Sequence, residues 1–188
     1  SASMKFAAQY HVAYITMHEF VRSGAIYPIV FVQDGEHQQF RSVVLLGLQS
    51  GENLFVDKSG KWQASYIPAM IRRYPFALSP SEDPSKYVVC IDESSKLLSE
   101  SEGNTLFSSD GKPTDVVENV KKYLSELQAL DKETVELSQF LKSNDLLVPL
   151  NLRVNNGKEL RKITGCYTIS EERFNLLNEE KFELLKGR

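Results

Sequence analysis

The run Gly60-Lys61-Trp62-Gln63-Ala64-Ser65-Tyr66-Ile67-Pro68-Ala69-Met70-Ile71-Arg72-Arg73-Tyr74-Pro75-Phe76 constrains this chain more than any other stretch. Two prolines bracket its centre. Pro68 is tolerated in the first turn of a helix, and Pro75 drives the residue before it out of the helical region. A helix here is confined to the residues from Tyr66 to Tyr74. Ile67, Met70 and Ile71 recur at i, i+3 and i+4 and give it one apolar face. Arg72 and Arg73 fall in its last turn, where cations oppose the negative end of the helix dipole. The run also holds the only tryptophan of the chain. Large apolar bodies with polar tips either join a core to its surface or anchor a recognition site. Trp62, Tyr66, Arg72, Arg73 and Tyr74 are therefore the candidate binding residues. Two readings stay open: a packed corner whose arginines stack on aromatics, and a ligand or peptide groove.

Elements on either side follow from periodicity and turn chemistry. Gln9 to Thr16 reads as a strand and His18 to Ser23 as a short helix ending at Gly24. Tyr27 to Val32 is a dense β-forming run with Pro28 at its start. Asp34-Gly35 turns it into a return strand from Phe40 to Leu48. Gly51 to Trp62 is expected to form two short strands around a turn at Asp57 to Gly60. The phrase Ser59-Gly60-Lys61 recurs as Asp110-Gly111-Lys112, which predicts the same turn twice rather than a repeat architecture. Ser79 to Lys86 reads as a loop, Lys86 to Asp92 as a strand, and Glu93 to Ser109 as the most mobile part apart from Leu106-Phe107, which are expected to dock back.

Pro113 to Leu130 and Asp131 to Ser143 are expected to form two helices packed as an antiparallel pair. The first carries Val117, Val120, Leu124 and Leu127 on one stripe, and the second Val135, Leu137, Phe140 and Leu141. Leu146 to Val154 and Leu160 to Thr168 flank Asn155-Asn156-Gly157 as a hairpin. Two short helices then start near Ser170 and Asn178. The resulting class is α+β: a mostly antiparallel sheet with a helix pair and a C-terminal β-hairpin plus helices.

A chain of 188 residues with 41% apolar and 25% charged residues suits one globular domain. Ser1 to Ser3 read as an expression remnant. A net charge of −3 argues against a dedicated nucleic-acid binder, which carries a basic face. No apolar run reaches the ~18–20 residues that span a bilayer, and the first residues lack the apolar core of a signal peptide. The expected compartment is cytoplasmic. Cys90 and Cys166 sit in apolar runs and read as buried reduced thiols.

No catalytic constellation stands out. His11, His18 and His37 fall in three different elements, without the close spacing of a metal site. The sequence has no nucleophile elbow, and its glycines form neither a Walker nor a dinucleotide loop. Asp92-Glu93 follows a strand end, and two readings stay open for it: a pair projecting into a cleft, and solvated loop residues. No catalytic residue, metal or cofactor is assigned.

Beyond the central run, Tyr27-Pro28-Ile29-Val30-Phe31, Leu46-Gly47-Leu48, Gly51-Glu52-Asn53-Leu54-Phe55-Val56, Ile91-Asp92-Glu93, Leu106-Phe107 before Asp110-Gly111, and Gly165-Cys166-Tyr167 complete a pattern. Together they resemble the SapC family of bacterial proteins over nearly the whole chain after Met4. The resemblance implies a single SapC-like domain over 4–188 and a C-terminal extension beyond it. It implies an association with bacterial surface layers, from which the family takes its name. It also implies a genomic neighbourhood of iron/2-oxoglutarate oxygenases, flavin-dependent halogenases and outer-membrane receptors. The first expectation is a non-enzymatic binding or accessory protein that acts with a protein or peptide partner, such as an oxygenase encoded nearby. The alternatives are an enzyme or enzyme subunit acting on a peptide or small molecule, marked by Asp92, Glu93 and a histidine converging, and a surface-layer component.

Overall fold

The computed structural model describes residues 3–35, 39–83, 86–155, 157 and 160–186. The strands are β1 (Val12–Tyr14), β2 (Ile29–Gln33), β3 (Phe40–Leu45), β4 (Phe76–Pro80), β5 (Tyr87–Ile91), β6 (Leu147–Asn155) and β7 (Leu160–Ile169). The helices are α1 (Phe20–Gly24), α2 (Ala69–Arg72), α3 (Asp115–Ser143), α4 (Glu171–Asn175) and α5 (Glu179–Lys186). A 3₁₀ turn over Met17–Glu19 leads into α1.

The class is α+β, with antiparallel pairing throughout. Five strands form the main sheet in the order β1-β3-β2-β7-β6, and β4 and β5 form a separate two-stranded sheet. The C-terminal hairpin β6–β7 thus joins the main sheet beside β2, with Phe31 opposite Tyr167 and Val32 opposite Cys166. The strand after Lys86 leaves that sheet for one of its own. Its partner β4 takes Ser79 and Pro80 from the expected loop, together with Phe76 to Leu78, to which the sequence assigns no element. Where β6 and β7 lose register between Leu150 and Leu152, Gly165 takes a φ of 78°. That left-handed conformation favours glycine and lets β7 bulge.

Side-chain alternation builds a core on each face of the main sheet. Val43 and Leu45 pack with Val30 and Cys166. Val44 and Leu46 pack with Tyr27, Trp62 and Ile71. Phe31 and Phe40 meet Leu141 and Leu146 in a third cluster.

The expected helix pair is instead one unbroken helix of 29 residues, α3. Its inward positions are Val117, Val120, Leu124, Leu127, Asp131, Thr134, Ser138 and Leu141, spaced alternately by three and four. That is a heptad stripe running straight through the supposed break. Polar residues in its second half conceal it, and each has a reason to be there. Asp131 pairs with Arg41 of β3 at 2.6 Å. The Thr134 hydroxyl accepts the Met17 N–H at 2.9 Å and donates to the Leu130 carbonyl at 2.7 Å. The Ser138 hydroxyl donates to the Thr134 carbonyl at 2.9 Å. α3 packs on β3 and on Met17–Glu19, and its N-terminal half reaches β4. It therefore spans both sheets.

The twice-used turn is present. Asp57 N–H donates to Lys61 C=O (3.0 Å) and Gly60 N–H to Asp57 C=O (2.9 Å). Ser108 N–H to Lys112 C=O and Gly111 N–H to Ser108 C=O repeat both bonds, at 2.9 Å each. In the first copy the N-terminal segment lies over Gly60, and Met4 N–H donates to its carbonyl at 2.8 Å.

A continuous α3 is tested by the distance between spin labels at Asn119 and Gln139, both exposed. The separation of the two positions along one helix predicts about 30 Å between backbones. A mean separation of about 10–15 Å would restore the antiparallel pair.

Candidate functional site

The corner that sets the site begins with Thr16-Met17-His18-Glu19, a threonine three residues before a glutamate, the pattern of a helix start. The Glu19 carboxylate is only 6% exposed. Its Oε2 accepts the Thr16 N–H at 2.9 Å and the Thr16 hydroxyl at 3.1 Å. Its Oε1 accepts the Tyr66 hydroxyl at 2.7 Å and the Ala69 N–H at 2.8 Å. Ala69 is the first residue of α2, so the carboxylate meets the positive end of that short helix. Sequence reasoning misses Glu19, although its capping-box spacing is the available signal.

Trp62 belongs to the same corner. It is 8% exposed, and its indole N–H is shared between the Tyr27 hydroxyl and the Tyr66 carbonyl, both at 3.0 Å. The Tyr27 hydroxyl donates to that same carbonyl, and burial raises its pKa, partly offset by the Trp62 bond. Phe55 stacks on Trp62 at 6.3 Å. Tyr66 is half-buried, and burial, then its bond to the Glu19 carboxylate, push its pKa up to about 12 against a smaller opposing effect of Arg72. Arg72 lies 5.5 Å over the Tyr66 ring and 6.0 Å over Tyr123. Its Nε donates to the Ile67 carbonyl at 3.0 Å. The Tyr123 hydroxyl donates to the Ala69 carbonyl at 3.0 Å and ties α3 to α2. Trp62 and Tyr66 thus spend their polar tips within the chain, and Arg72 spends its Nε there.

Arg73 and Tyr74 leave the far side of α2 and enter an open cleft of about 480 Å³. β1 forms one bank and β4–β5 the other, with Phe6, Tyr10 and Tyr14 supplying aromatic walls. Phe6 stacks on Tyr74 with ring centres 4.0 Å apart and meets Tyr10 edge-on at 6.4 Å. The Tyr74 hydroxyl donates to Asp92 Oδ2 at 2.8 Å. The Ser94 hydroxyl first, and then Tyr74, hold the Asp92 carboxyl below its ordinary range. Arg73 is half-buried and lines both this cleft and a smaller pocket of about 140 Å³ beside Leu124, Leu127 and Asp131 of α3. Among the described residues its guanidinium has neither a hydrogen bond nor an ion pair. The five candidate residues are therefore brought together around one short helix but divided by it: Trp62, Tyr66 and Arg72 on the packed side, Arg73 and Tyr74 in the cleft.

Asp92 lines the cleft, whereas Glu93, His11 and His18 do not. His37 lies outside the described residues. Among those described, no group of three or more His, Cys, Asp or Glu side chains is placed to hold a metal ion, and no helix is long and apolar enough to cross a membrane. Cys166 is buried as its apolar run suggests, and burial raises its thiol pKa. Cys90 is exposed instead, because a two-stranded sheet leaves one face of β5 uncovered.

The model of the SapC family matches residues 1–188, the entire sequence, and the chain belongs to that family. Comparison with curated proteins and with solved structures finds no match.

The Tyr66 geometry makes stability fall in strong base. The raised pKa means that the folded chain keeps a proton which the unfolded chain releases, so stability is complete below pH 10 and declines from 10 to about 12. Unfolding midpoints measured across that window should drop in the parent chain and drop less in Tyr66→Phe. Equal slopes in the two would contradict the assignment.

Proposed function

We propose that this SapC-family chain is a binding protein whose cleft takes an apolar peptide segment carrying a carboxylate, presented by a partner protein. The observation that carries this reading is Arg73, a half-buried residue lining an aromatic cleft, whose guanidinium has no hydrogen bond or ion pair among the described residues. A guanidinium presents a planar fork that matches a carboxylate with two parallel hydrogen bonds. Partial removal from water strengthens such a bond and leaves an unpaired cation at a disadvantage. Phe6, Tyr10, Tyr14 and Tyr74 offer flat apolar surface at small entropic cost, the surface that peptide-binding sites use for anchoring. Asp92, kept ionised, disfavours a second carboxylate at the Tyr74 end and gives the segment a direction.

On this reading Trp62, Tyr66 and Arg72 build the wall behind the site and do not touch the ligand. The supporting geometry is the split across α2: Trp62 and Tyr66 spend their polar tips behind it, whereas Arg73 and Tyr74 line the cleft.

Random displayed peptides panned against the purified chain test the reading. Enriched peptides should pair a large apolar residue with a neighbouring carboxylate. Arg73→Met, which keeps the apolar stem, should weaken their binding at least about tenfold, while Trp62→Phe should bind them within about threefold of the parent. The absence of enriched peptides, or equal binding by Arg73→Met, would overturn it.

A further inference from the structure

Antiparallel pairing alternates residues whose N–H and C=O face the neighbouring strand with residues whose groups face away. In the β4–β5 hairpin the alternation is fixed by two bonds, Asp92 N–H to Pro75 C=O at 2.9 Å and Ser81 N–H to Lys86 C=O at 3.1 Å. Between them Ala77 lies opposite Cys90 and Ser79 opposite Val88. Val88 and Cys90 therefore bond inward to β4. Tyr87, Val89 and Ile91 turn their backbone groups to the outer edge. Among the described residues no third strand joins this sheet, and those outward groups have no hydrogen-bond partner.

The two edges of the hairpin differ. On β4 the Phe76 N–H is taken by the Arg73 carbonyl at 2.8 Å, and Pro80 has no N–H to offer. That edge is blunted in the way exposed edges usually are. β5 has no such protection, and Tyr87 and Val88 beside it are 49% and 51% exposed.

We infer that β5 is an interface between two copies of this chain, paired edge to edge and antiparallel about a two-fold axis through Val89. Charge selects the occupant. The segment Lys86-Tyr87-Val88-Val89-Cys90-Ile91-Asp92 carries a cation at one end and a carboxylate at the other, equally far from Val89. The register centred there pairs Val89 with its counterpart and Tyr87 with Ile91, so every outward backbone group is used. It also sets Lys86 opposite Asp92 of the second copy, at both ends. A parallel pairing would place like charges side by side, which is unfavourable across a ladder. A centre moved by one residue leaves part of the edge unpaired and separates the charges. An unrelated strand would satisfy the backbone but not this doubled ion pair.

Neither charge sits in a buried ion pair: Asp92 accepts from the Tyr74 hydroxyl and from the Ser94 N–H and hydroxyl, all neutral donors. Lys86 now meets Asp83 at 3.1 Å, a pair whose side chains are 74% and 45% exposed, and such surface pairs hold weakly. Asp92 is also exposed. The contact is isologous and smaller than a standard interface, so the dimer is reversible and depends on concentration. This inference shares Asp92 with the cleft reading, since that carboxylate lines the cleft, but Lys86 does not line it, so Lys86→Glu separates the two.

Sedimentation velocity on the full chain, from about 5 to about 500 µM, tests it. The parent chain should move from the monomer mass towards twice that mass. Lys86→Glu and Asp92→Lys should each raise the dissociation constant at least about tenfold by placing like charges opposite one another twice per dimer. The double variant should return to within about threefold of the parent. Circular dichroism of each variant identifies any that fails to fold, and the double variant then carries the comparison with the parent. A parent chain that stays monomeric, a dimer indifferent to both single reversals, or a double variant no better than the singles would each overturn the proposal.

Discussion

A buried carboxylate with all of its hydrogen bonds made is the constraint from which the rest of this structure follows. Burying Glu19 without partners would cost several kcal/mol. Its two oxygens instead meet four donors from two distant stretches, Thr16 and the Tyr66–Ala69 segment. One side chain thus fixes the 3₁₀ turn before α1 and the first turn of α2 relative to each other. Trp62 seals the arrangement by sharing its N–H between Tyr27 and the Tyr66 carbonyl. With the start of α2 held, so short a helix has little freedom at its other end. Arg73 and Tyr74 are carried into the cleft as a result.

α3 supplies the second constraint. One helix contacts β3, the turn that holds Glu19, and β4. Three polar inward residues lock its middle and C-terminal half: Asp131 to Arg41, Thr134 to Met17, and Ser138 to its own preceding turn. Tyr123 adds the tie to Ala69 at 3.0 Å. The bank of the cleft built from β1 and the bank built from β4–β5 are therefore tied to one rigid rod, although they belong to separate sheets.

The legible parts of the fold are those whose signal is local. β2 and β3 follow from dense β-branched runs around Asp34-Gly35, the repeated Gly-Lys turn from its spacing, and α1 from its glycine stop. The break expected at Asp131 shows where local reading fails: charged and hydroxylic residues at inward positions look like a helix end until Arg41 and Met17, distant in sequence, are seen to satisfy them. β4 is hidden for the same reason, since its strand character depends on pairing with β5 rather than on composition. At the site, the five candidate residues are recognisable as a group, but their division across α2 is not readable. It depends on which side of a four-residue helix meets Glu19, and a glutamate fifty positions upstream of Ala69 carries no mark of that contact.

The central claim is that the Glu19–Tyr66 bond organises the corner, and a thermodynamic cycle tests it directly. Unfolding free energies of the parent, Glu19→Ala, Tyr66→Phe and the double variant give the coupling between the two side chains. A charged, buried hydrogen bond predicts a coupling of at least about 1 kcal/mol, with each single change costing more than the second change made after it. Additivity within about 0.5 kcal/mol would mean that the two groups lie side by side without depending on each other, and the account of the corner would fail.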